Sequence, residues 1–138
     1  MKKLSAAVLA AAAMGMLFTG SAHAETNPRC GSVTQIGSTG YMKSGGTTIA
    51  SVKQFKGCNK NWAYVYVWDS WRANHRNYHI RAGIWTRTSD GAVDYNGNDS
   101  GAQELWSSGA NTLGVCTTAT GEVFGSGFSY SGHSDERC

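Results

Sequence analysis

Trp62-Ala63-Tyr64-Val65-Tyr66-Val67-Trp68 alternates aromatic and small aliphatic side chains without a break. A strand sends successive side chains to opposite faces, whereas a helix would scatter this pattern around its circumference. The segment is therefore a β-strand, with Trp62, Tyr64, Tyr66 and Trp68 on one face and Ala63, Val65 and Val67 on the other. Two arrangements satisfy it. The aromatic face packs against a second sheet, or it stands open as a row of rings about 6.5–7 Å apart, twice the strand rise. Sugar rings stack on such a row, and a buried tyrosine hydroxyl would need a partner.

Working outward, no window holds a helical period, and apolar residues come in short runs separated by Gly, Asn, Asp and Ser. Further strands are expected at Ser32–Ile36, Thr47–Phe55, Tyr78–Arg87, Thr112–Cys116 and Val123–Tyr130. In Tyr78–Arg87, Ile80, Ala82 and Ile84 form one face, with Arg81, Trp85 and Arg87 partly exposed. Ser89-Asp90-Gly91 and Tyr95-Asn96-Gly97-Asn98 carry the Asp-Gly and Asn-Gly pairs of tight turns. Ser107-Ser108-Gly109 and Ala119-Thr120-Gly121 read as weaker turns. Strands at this spacing predict an all-β fold, a small antiparallel sandwich or barrel.

The start of the chain is different in kind. Met1-Lys2-Lys3 is a short cationic segment, Leu4–Phe18 is apolar and uncharged, and Ala22-His23-Ala24 has small residues where a signal peptidase reads. Residues 1–24 are expected to be a secretory signal peptide, too short in its apolar part to span a membrane. Residues 25–138 then form a single β-rich domain. Of 12 Lys and Arg, Lys2 and Lys3 leave with the leader, so ten stand against nine Asp and Glu. That balance makes no electrostatic case for nucleic acid. Cys30, Cys58, Cys116 and Cys138 all lie in the exported part, and an even count there predicts two disulfides rather than a metal site of closely spaced cysteines. Three pairings are open. Cys30–Cys58 with Cys116–Cys138 joins chain neighbours and ties down each terminus.

Beyond the aromatic strand, residues 69–81 form a polar connection that concentrates Arg72, His75, Arg76, His79 and Arg81. Guanidinium groups beside an aromatic surface suit anionic groups, although a solvated loop reads the same way. Signs of catalysis are weak. His75 and His79 have a helical metal spacing without a helix or the glutamate of the zinc-protease motif. Gly125-Ser126-Gly127 lacks the frame of a nucleophile elbow, and paired cysteines offer no thiolate. Neither a catalytic site, a cofactor nor a metal is expected.

The chain resembles the small secreted spore-associated proteins of actinomycetes. The matching features, in order, are the signal peptide, Cys30-Gly31, Gly45-Gly46-Thr47-Thr48 leading into a strand that ends near Cys58, and the strand Trp62–Trp68. Then come Trp85, Asp90 and Tyr95 in a hairpin region, Gly114-Val115-Cys116, and Cys138. The basic segment Trp71–Arg81 departs from the pattern. The resemblance implies a secreted, non-enzymatic β-domain at the cell or spore surface and supplies no catalytic residue. The expected function is binding of polysaccharide or another envelope component, with Trp62, Tyr64, Tyr66 and Trp68 stacking and Arg72, Arg76 and Arg81 holding anionic groups. The alternative is a protein partner, as in a secreted protease inhibitor or a subunit of a secreted toxin or assembly, presenting residues 71–78 or 94–101. Nucleic acid and membrane insertion are not expected.

Overall fold

The hairpin that carries the aromatic strand shows how the fold is started. Thr47–Gly57 (β3) and Lys60–Val67 (β4) pair antiparallel from Ala50↔Val67 to Gly57↔Lys60, leaving Cys58-Asn59 as a two-residue turn. Both turn residues have positive φ, 51° and 56°, the backbone that a tight hairpin following the strand twist requires. Cys58 is bonded to Cys30, so the turn is held to the start of Gly31–Ser44 (β2). The computed structural model describes residues 24–98 and 101–138. The signal-peptide reading lies outside them, as do Asp99 and Ser100 of the 94–101 loop.

The remaining elements are Ala24–Asn27 (β1), Asp69–Arg72 (α1), His79–Thr86 (β5), Val93–Asn98 (β6), Glu104–Trp106 (β7), Thr117–Gly125 (β8) and Phe128–His133 (β9). They build two antiparallel sheets, in the orders β1-β2-β3-β4-β7 and β6-β5-β8-β9. The protein is thus an all-β sandwich whose first sheet curls into a half-barrel, stapled by Cys30–Cys58 and Cys116–Cys138.

The small-residue face of β4 is the one that meets the second sheet. Ala63, Val65 and Val67 are fully buried, together with Val52 and Ala50 of β3, against Ile80, Ala82 and Ile84 of β5 and Ala119 and Val123 of β8. Each aliphatic side chain so buried contributes about 1.5–3 kcal/mol. Valine and alanine allow close approach here. A Cβ on Gly121 of β8 would meet the Cγ2 of Val52 at 3.1 Å and the Cε of Met42 at 3.2 Å.

That contact explains one correction. Ala119-Thr120-Gly121 is mid-strand rather than a turn, because Gly121 is required by packing and not by chain reversal. Tyr95-Asn96-Gly97-Asn98 likewise lies inside β6. Thr112–Cys116 is not a strand: Val115 bonds back to Thr112, Leu113 and Val115 are exposed, and pairing begins at Thr117. Val123–Tyr130 divides at Ser126-Gly127 into the ends of β8 and β9. β2 runs well past Ile36, with register shifts that its glycines allow.

Candidate functional site

With the aliphatic face of β4 turned inward, its aromatic face lies in the hollow of the half-barrel. The row is covered unevenly. Trp62 and Tyr64 are buried in a second apolar cluster with Val33, Phe55 and Trp106. Tyr64 and Trp106 have ring centroids 4.5 Å apart, and Phe55 meets Trp106 at 5.0 Å. Arg29, in the turn between β1 and β2, closes this end. Its guanidinium carbon stands 5.8 Å from the Trp62 ring centroid, and its Nη2 donates to the carbonyls of Trp106 and Ser107 at 3.0 and 2.7 Å. One side chain therefore joins the first hairpin to the far edge of the sheet. The Tyr64 hydroxyl donates to Glu104 Oε2 at 2.6 Å. Burial, and then the Glu104 carboxylate, hold its pKa well above the ordinary phenol range, so it remains a neutral donor.

The other end of the row is open. Tyr66 is half-buried, and Trp68 is 40% exposed. Tyr41 of β2, 52% exposed, meets Trp68 edge-on at 6.5 Å and 69°. The indole Nε1 donates to Ser51 Oγ at 3.3 Å, and Gln103 Nε2 donates to the Tyr66 hydroxyl at 2.9 Å and to Asp69 Oδ1 at 2.6 Å. Gln35, Thr39, Ser51 and Lys53 complete a cleft of about 390 Å³ between these rings. Lys53 is paired with Glu25 at 2.6 Å. The cleft thus offers aromatic faces, hydroxyls and amides, with its one ammonium already neutralised.

The four-ring platform expected from alternation is shortened to Tyr66 and Trp68. Trp62 and Tyr64 are structural, because the sheet curls over them. The cations separate too. Arg72 donates from Nε to the Tyr78 hydroxyl at 2.9 Å and lies 3.7 Å from Asp69. Arg76 is exposed beside it, around a shallow cleft that includes His75. Arg81 projects from the outer face of the second sheet, 3.3 Å from Glu122 and over the Phe124 ring at 4.3 Å. The three arginines do not converge on the aromatic cleft. Tyr41 and its polar neighbours escaped sequence reading because the glycines from Gly37 to Gly46 break the period of β2. Tyr41 alternating with Met42 was the available signal.

The histidines take packing positions. His75 stacks on Trp71 at 4.1 Å with its Nδ1 at 2.8 Å from the Trp71 carbonyl, and His79 stacks on Phe124 at 5.1 Å. Residues 71–78 hold the end of α1, a turn at Ala73-Asn74 and an irregular connection to Tyr78, gathered around buried Trp71. Cys116, Glu136 and Cys138 approach one another, but both sulfurs are in the disulfide. No protein-family model, no curated protein and no solved structure matches this chain.

Proposed function

We propose that the protein is an exported, non-enzymatic binding domain of the cell or spore surface, and that the cleft of Tyr41, Tyr66 and Trp68 takes one chain of a neutral polysaccharide. The observation that carries this reading is an indole held by Ser51 yet 40% open to solvent, set edge-on to a second exposed ring. The two adjoining rings form an apolar patch whose burial by a ligand would be favourable. Rings fixed before binding lose little entropy when a sugar face stacks on them. The amide and hydroxyl groups of Gln35, Thr39 and Ser51 suit sugar hydroxyls. A neutral ligand is favoured because Lys53, the cation that lines the cleft, is paired with Glu25, and because the carboxylates of Asp69 and Glu104 lie nearby. Two disulfides suit an oxidising compartment, and among the described residues no helix is long and apolar enough to cross a membrane.

The test is co-sedimentation of the oxidised protein with insoluble cellulose, chitin and isolated envelopes. Trp68→Ala is expected to weaken binding at least tenfold, about 1.4 kcal/mol, with the melting temperature little changed. Trp62→Ala is expected to lower stability instead. Unaltered binding by a folded Trp68→Ala, Tyr41→Ala variant would refute the cleft.

A further inference from the structure

We infer that the outer face of the second sheet is a second polysaccharide platform, so that one molecule bridges two polymer chains. This rests on the cleft reading above and extends it to the opposite side of the sandwich.

The observation begins at Gly83, in the middle of β5. A glycine inside a central strand weakens it by roughly 0.5–1 kcal/mol relative to alanine and marks a place where something approaches closely. A Cβ here would meet Cδ1 and Cε1 of Tyr95 at 3.1 and 3.3 Å. The Tyr95 ring therefore lies on the backbone of β5, yet it is 54% exposed. Seated in this way, it shows its other side to solvent in a fixed orientation. Trp85 stands two residues along the same face, about 6.5–7 Å away by strand rise, and is 41% exposed. Register places Thr118 beside Trp85 and Thr120 beside Gly83, so hydroxyls flank both rings.

Charge selects the occupant. Arg81 is paired with Glu122 at 3.3 Å, and Arg87 with Glu136 at 2.9 Å. Both guanidinium groups near this face are neutralised within the molecule. Beside these pairs stand rings and hydroxyls, the complement of a hydroxyl-rich polymer. The face is a sheet surface rather than a cleft, which suits the flat side of a packed β-linked polysaccharide. It points away from the Tyr41–Trp68 cleft, with both layers of the sandwich between them. No single chain can cover both sites, so two occupied sites mean two chains, on separate surfaces, held together by one molecule.

Aggregation of cellulose and chitin microparticles by the oxidised, full-length exported protein tests this, read by light scattering beside binding isotherms. The wild type is expected to gather particles. Trp85→Ala is expected to remain bound through the cleft with little change in affinity but to lose aggregation. Tyr95→Phe, which keeps the ring, should aggregate normally, whereas Tyr95→Ala should not. Trp68→Ala should retain weak binding through Trp85 and Tyr95. Unchanged aggregation by folded Trp85→Ala and Tyr95→Ala overturns the inference. Complete loss of binding in Trp68→Ala also overturns it and leaves the cleft standing. No binding by the wild type removes both.

Discussion

Tyr64 shows how a side chain from the aromatic row becomes part of the scaffold. Its ring is buried against Phe55 and Trp106, and its hydroxyl is spent on Glu104. Because its folded pKa is raised above the unfolded value, the native state keeps a proton that the unfolded chain releases. The associated stability is fully present below about pH 10, the unfolded value, and is lost as pH rises from there toward the folded value. Wild type should therefore lose urea stability more steeply above about pH 10 than Tyr64→Phe, which lacks the titrating group. At neutral pH the same variant should cost about 1.5–3 kcal/mol for the lost hydrogen bond to a carboxylate. Parallel slopes in alkaline urea titrations would contradict this. Alternation placed Tyr64 and Trp68 on one face but could not separate them, since both obey the same period.

At the scale of the element, the first sheet closes on itself through Arg29. Its planar fork reaches two carbonyls and covers Trp62 at once, a combination that a lysine ammonium does not reproduce. Arg29→Ala should destabilise the fold by about 1.5–3 kcal/mol for the charged hydrogen bonds. It should also open Trp62 to iodide quenching of fluorescence, and Arg29→Lys should restore little of either. Quenching equal to wild type would show that the closure does not depend on this residue. Sequence reading found the longer alternating strands and missed β1, β6, β7, the far half of β2 and the first half of β8. Their side chains carry no clear period: β7 has three residues, and β2 is broken by glycines and shifts of register. The Thr112–Cys116 run failed for the converse reason. Its apolar residues have no strand beside them and remain exposed.

For the whole molecule, the two disulfides act at opposite ends of the chain, Cys30 to the β3–β4 turn and Cys138 to the start of β8. Each closes a loop of moderate length, with 28 and 22 residues of separation, worth about 3 kcal/mol on the chain-entropy model. Replacing either pair with alanine should lower urea stability by roughly that amount, and reduction of both should add the losses, as distant sites do. Two pair-replacement variants that melt like wild type would refute this contribution. Local sequence by itself determined the fold class and the inner and outer faces of β3, β4 and β5, while the pairing of the four cysteines was left among three choices that the structure resolved. The fold class and the faces follow from a period of two, turn-forming residues and short loops, all readable over a few positions. Only the tertiary structure decided which rings meet solvent. The curl of the first sheet buries Trp62 and Tyr64 and leaves Trp68 open beside Tyr41 from a distant strand, while Arg81 stands on β5 in the opposite layer. Exposure depends on what another part of the chain lays over a face, and that is a property of the assembled sheets.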